Sequence, residues 1–133
     1  MIAWTPSLAI GIEEIDSQHK ELFRAADAFL TGLESSGRTE VASLLEYLRS
    51  YTATHFGEEE SWMREFSYPE YAGHRAQHER FVRDLDALAA EAGREGGPGL
   101  EPMRVATWLG RWLIDHVSAS DTKLARFIVS RSA

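Results

Sequence analysis

The stretch THFGEEESWM, residues 54–63, places His55 and Glu59 four residues apart among large apolar side chains. The same interval separates His74 from His78 in HRAQH, and five residues separate His116 from Asp121 in WLIDHVSASD. With His19 these account for all five histidines of the chain. Imidazole suits iron, zinc and copper, and a carboxylate with two oxygens can bridge two ions. Residues four apart share one face of a helix, so each such pair can reach a single ion. Seven donors of this kind are too many for one ordinary four-coordinate ion and suit two. The chain has no cysteine, which excludes disulfides, thiolate chemistry and Cys-type zinc sites. HRAQH also lacks the glutamate of an HExxH motif, so a metallopeptidase is disfavoured.

The elements that must position these donors are helical throughout. Ile15, Leu22, Phe23, Ala26, Phe29, Leu30 and Leu33 recur at three- and four-residue intervals, with Gly37 as a stop. A second series runs through Val41, Leu44, Leu45, Leu48, Tyr51, Phe56, Met63 and Phe66 to the SYPE turn at Pro69. A third, Tyr71, Phe81, Val82, Leu85, Leu88 and Ala89, breaks in the loop GREGGPGLEP. The last comprises Val105, Trp108, Leu109, Trp112, Leu113, Val117, Leu124, Phe127 and Ile128. The expected fold class is all-α: an up-down-up-down four-helix bundle with an N-terminal extended arm, in one domain over 1–133. The arm covers about 1–12 and the helices about 13–36, 39–66, 70–92 and 102–131.

Each histidine falls on the apolar stripe of its helix, and Glu59 and Asp121 fall there too. Glu60 is expected on the solvated side. A buried carboxylate without a partner costs several kcal/mol, and no inward Lys or Arg offers a counter-charge. A metal site in the core removes that difficulty; a metal-free bundle is the alternative. His116 and Asp121 would be about 140° apart on a regular α-helix. Both can face one centre only through a π-type distortion between Val117 and Asp121, a defect frequent at functional sites. Leu22, Phe56, Trp112, Leu113 and Val117 lie within a turn of the donors and would wall the site with apolar groups. Gln18 and Gln77 are candidate partners for the imidazoles, and Trp4 is a candidate to close the open end.

Bulk properties limit the function classes. With 133 residues, 44% apolar and 26% charged, the chain has the balance of an ordinary globular domain. A formal net charge of −7 disfavours nucleic acid and anionic membrane surfaces as partners. MIAWTPSLAI has neither the basic start nor the long apolar run of a signal peptide, and nowhere do eighteen apolar residues run together. A cytoplasmic monomer is the expectation.

Taken in order, IDSQHKELF, HFGEEESWM, HRAQH with HERF, and WLIDHVSASD resemble the bacterial hemerythrins. The pattern H…HxxxE…HxxxH…HxxxxD is filled at every position by His19, His55, Glu59, His74, His78, His116 and Asp121, and the likeness extends to Trp4 and Ile10-Gly11. The chain departs from the family in its Gly/Pro-rich third loop and in Val117, where a larger aliphatic is common. The resemblance implies two iron ions (Fe2+/Fe3+) with a bridging oxo or hydroxo. One would be held by His74, His78 and His116, and the other, with an open position, by His19 and His55. Glu59 and Asp121 would bridge both. Dioxygen would bind reversibly at the open iron as a hydroperoxide, for storage, delivery or buffering, with nitric oxide or small anions as other ligands. Peroxidase, oxidase or nitric-oxide chemistry and oxygen or redox sensing are the alternative uses of such a centre.

Overall fold

The computed structural model describes residues 3–36, 41–92 and 102–132. Gly37, the loop residues 93–101 and the expected helix start at 39 and 40 lie outside them. The described residues are helical without a strand, and the chain is an all-α, up-down-up-down four-helix bundle. Helix α1 spans Glu13–Ser36, α2 Val41–Glu65 and α3 Tyr71–Ala92. The fourth rod is α4, Pro102–Asp115, a π-helical turn, His116–Asp121, and α5, Thr122–Ser132. Helix α2 packs chiefly on α3, and α1 on α4. No described helix is long and apolar enough to cross a membrane.

Local chemistry fixes the ends that matter for the site. The segment before α1 is not wholly extended as expected, because Pro6–Leu8 form one 3₁₀ turn. Proline at the first position of that turn supplies a suitable φ and lacks the N–H that would go unpaired there. Gly11, at φ +87°, makes the corner into α1. Asp16 secures that corner, its Oδ1 accepting from Ile10 N at 2.9 Å and its Oδ2 from Gly11 N at 3.3 Å. Helix α2 ends on Ser67 in the left-handed region at φ 53°, and Tyr68 N bonds back to Met63 O at 2.8 Å.

Among the described residues the core has two apolar clusters. The larger includes Leu22, Phe23, Phe56, Phe81, Leu85, Leu109, Leu113 and Val117, with Trp4 and Leu8 of the arm packed against it. The smaller consists of Met63, Tyr68, Leu124 and Ile128. Between Phe56 and Met63 on α2 lies Glu59, and between Val117 and Leu124 on the fourth rod lies Asp121. The polar layer therefore sits where the two clusters meet.

Candidate metal centre

The buried polar residues among those described are His19, Thr52, His55, Glu59, His74, His78, His116 and Asp121. Seven of these eight are the residues that the spacing singled out. Helix α1 brings His19, α2 brings His55 and Glu59, α3 brings His74 and His78, and the π turn brings His116 and Asp121. The turn spans His116–Asp121, one residue earlier than the expected Val117. It lets His116 and Asp121 face the same point, with Nε2 3.0 Å from Oδ1. Hydroxyls in the turn and just after it take up backbone carbonyls, Ser118 Oγ that of Ile114 at 2.6 Å and Thr122 Oγ1 that of Val117 at 3.0 Å.

The donor atoms fall into two overlapping groups. Those of Glu59, His74, His78, His116 and Asp121 all lie within 4.8 Å of one another, as do those of His19, His55, Glu59 and Asp121. Glu59 and Asp121 belong to both groups. Glu59 Oε1 is 3.2 Å from His74 Nε2 and 3.1 Å from His78 Nε2, while Oε2 faces His55 Nε2 at 3.1 Å. Asp121 Oδ1 is 3.1 Å from His74 Nε2, and Oδ2 is 2.9 Å from His19 Nε2.

An outer layer aims the rings. His55 Nδ1 bonds Gln18 Oε1 at 2.5 Å, and His116 Nδ1 bonds Gln77 Oε1 at 2.8 Å. The Gln18 amide N–H donates to Glu58, and Ser120 Oγ donates to Gln77 Oε1 at 2.6 Å, so both amides are held in orientation. His78 Nδ1 bonds Glu60 Oε2 at 3.0 Å. These oxygens accept only, so each Nδ1 is the donor and each Nε2 presents its lone pair to the centre. Gln18 and Gln77 therefore stand where the sequence placed them as candidates. Glu60, expected on the solvated face, is a correction. It follows Glu59 by one residue, about 100° round the helix, which leaves it at the boundary where α3 can reach it. Periodicity within α2 carries no sign of that partner.

Aromatic rings fix the planes of two imidazoles. Phe56 stacks on His78 with centroids 3.9 Å apart and planes 5° apart, and Trp112 on His116 at 4.3 Å and 13°. Leu22, Phe56, Leu113 and Val117 are buried beside the donors, whereas Trp112 is half-buried. Trp4 packs on the larger cluster with Lys20 Nζ 4.6 Å above its ring. Tyr68, unremarked in the sequence, is buried with its ring centroid 6.5 Å from that of His74.

The electrostatics test whether a cation fits. Burial alone would depress the His19 and His74 imidazoliums, but Asp121 and Glu59 outweigh it and raise each to about 9. His116 is lowered, chiefly by burial. Burial would raise Glu59, yet the imidazoles of His19, His55, His74 and His78 gathered round it hold it well below the usual carboxylate range. Asp121 is likewise held low, against both burial and Glu59, by His116 and His19. Two imidazoliums thus balance two carboxylates in the metal-free core. Even so, Glu59 Oε2, both Asp121 oxygens and both His19 nitrogens are buried without a hydrogen-bond partner. Orphaned carboxylate oxygens converging from α2 and the fourth rod are what cations would satisfy, and this nitrogen and oxygen donor set suits iron.

Comparison with known proteins agrees. The family model described as "Hemerythrin HHE cation binding domain" matches residues 10–128. The chain belongs to the hemerythrin family. The bacteriohemerythrin of Stenotrophomonas maltophilia is 31% identical over 127 residues, covering 94% of this chain and 80% of that protein. That of Pseudomonas aeruginosa is 29% identical over 122 residues, covering 90% and 76%. Hemerythrin subunit 2 of Golfingia vulgaris is 29% identical over 120 residues, covering 90% and 87%. As a hemerythrin-family domain the chain is a metal-binding helical bundle, and its buried histidine and carboxylate cluster fits iron.

Proposed function

We propose that this chain binds dioxygen reversibly at a pair of iron ions. His74, His78 and His116 would hold one ion and His19 and His55 the other, with Glu59 and Asp121 available to both. The observation that carries this reading is the division of the donors into two groups that share only Glu59 and Asp121. Three histidines serve one group and two the other, which leaves the second ion the emptier coordination shell. When bound, two ferrous ions supply two electrons and an open position for a diatomic ligand.

The chain's own residues favour holding such a ligand over consuming it. Leu22, Phe56, Leu113 and Val117, all buried, restrict the entry of water and protons. His-rich donors bring less negative charge than the carboxylate-dominated shells of di-iron oxidases. The buried polar residues among those described include no lysine or arginine to serve as a proton source. A redox enzyme is the second reading, favoured by one observation: Gln18 joins His55 to the half-buried carboxylate of Glu58.

Anaerobic, reduced, iron-loaded protein exposed to air tests the proposal. A visible band that forms with air and disappears when dioxygen is removed, at about two irons per chain, supports the carrier. Immediate and irreversible conversion to the ferric spectrum would support the enzyme. Tight binding of zinc with no response to air would exclude both.

A further inference from the structure

Three surface clefts end on inner histidines. One of about 420 Å³ reaches His116 past Gln77 and Trp112, a second of about 230 Å³ reaches His55 past Gln18 and Tyr51, and a third of about 440 Å³ reaches His78 past Phe56 and Glu60. At each, the residue accepting the imidazole Nδ1–H stands between solvent and the ring. The acceptors differ in kind. His55 and His116 meet neutral amide oxygens, but His78 meets a carboxylate.

That difference has electronic weight. A hydrogen bond to an ionised acceptor is roughly twice as strong as one between neutral groups. A carboxylate behind a ligating imidazole also raises the basicity of its other nitrogen. The Glu60 side chain is only 20% exposed, so its charge is partly sheltered from solvent. Arg75 offsets it only in part, lying 3.9 Å from Glu60 but 3.1 Å from Glu79, with which it shares its charge. The Phe56 stack already sets the His78 ring plane, so orientation alone does not call for a charged acceptor.

We propose that Glu60 is a tuning residue, whose carboxylate makes His78 a stronger electron donor than His55 or His116 and biases the ion that His78 holds towards its higher oxidation state. The two ions of the pair would then differ in potential through a group one position beyond the shared Glu59. The inference rests on the iron-binding reading above.

The test is Glu60→Gln in the full chain, because glutamine keeps an oxygen to accept the Nδ1–H and removes only the charge. Cobalt(II) and ferrous affinities from chelator competition, and midpoint potentials of the iron-loaded protein from spectroelectrochemical titration, are the readouts. We expect about tenfold weaker divalent metal binding and a rise of about 59 mV in the one-electron potential, a tenfold change in equilibrium. Gln77→Glu, which puts a carboxylate behind His116, is expected to lower the potential, and it carries the test alone if Glu60→Gln does not fold. A Glu60→Gln protein matching the wild type in affinity and potential would overturn the proposal, leaving Glu60 as a structural anchor. So would a folded Gln77→Glu protein whose potential does not fall. Failure of the wild type to bind either metal would instead remove the iron-binding reading itself.

Discussion

Asp121 Oδ1 stands 3.0 Å from the Nε2 of His116, five residues earlier on the same rod. The π turn makes that contact possible, and the carboxylate it delivers also faces His19 and His74. Removing one partner from such a buried set strands the others. Asp121→Asn should therefore lower the His19 and His74 pKa values from about 9, as read by NMR titration of the metal-free protein. It should also cost about 3–5 kcal/mol in urea unfolding at neutral pH. Unchanged histidine titrations would show that Asp121 does not hold those protons.

The same charges give the metal-free protein a defined pH window. His19 and His74 are raised in the folded state, from 6.5 to about 9. Their stabilisation is complete below the unfolded value and is lost as pH rises through about 9. Glu59 and Asp121 are depressed, so theirs is present above the ordinary 4.5 and 3.8 and is lost as pH falls through the folded values. Metal-free stability should thus be greatest near 6.5, because His116, lowered by burial, takes stability away as pH falls below that value. Ligation requires neutral imidazoles, so metal affinity should rise with pH up to about 9. Near pH 7 about two protons should leave on loading, one each from His19 and His74. Calorimetry in buffers of different ionisation enthalpy counts them, and a count of zero would contradict this charge assignment.

Much of the centre was legible because helical period and ligand spacing are both local. His55 with Glu59 and His74 with His78 each lie on one face of one helix, so sequence alone assigns them inward. The π turn was legible from a conflict, since a five-residue interval and a shared target cannot both hold on a regular α-helix. Glu60 was not, because its role depends on where α3 places His78, a relation between helices. Tyr68 was hidden for another reason: it enters the core from the turn after α2, where the left-handed Ser67 interrupts the period. Trp108 and Trp112 have core spacing yet sit half-buried along a cleft, because large rings reach beyond the stripe their Cα positions define.

Gln18 and Gln77 offer a direct test of the outer layer. Each holds one imidazole by a single amide oxygen and is itself held by Glu58 or Ser120. Gln18→Leu and Gln77→Leu should each weaken metal binding by about 10- to 100-fold, leaving the helical content intact. Ser120→Ala frees Gln77 without removing it and should have a smaller effect in the same direction. Chelator competition on the three proteins measures the order, and wild-type affinity in all three would remove the outer layer from any role in holding metal.

The apolar wall makes a separable prediction, because Leu113 and Val117 are each 1% exposed and belong to the larger cluster. Leu113→Ala should cost about 2–5 kcal/mol through the cavity it leaves. Val117→Thr nearly keeps the shape but buries a hydroxyl, at about 1–3 kcal/mol. If dryness protects the loaded centre, both should oxidise irreversibly in air several-fold faster than wild type, by different routes: one admits water into a void, the other attracts it. Denaturant titration gives the stabilities, and the optical decay of the reduced, iron-loaded protein in air gives the rates. Wild-type decay in both variants, despite the expected loss of stability, would mean that these side chains pack the core without guarding the site.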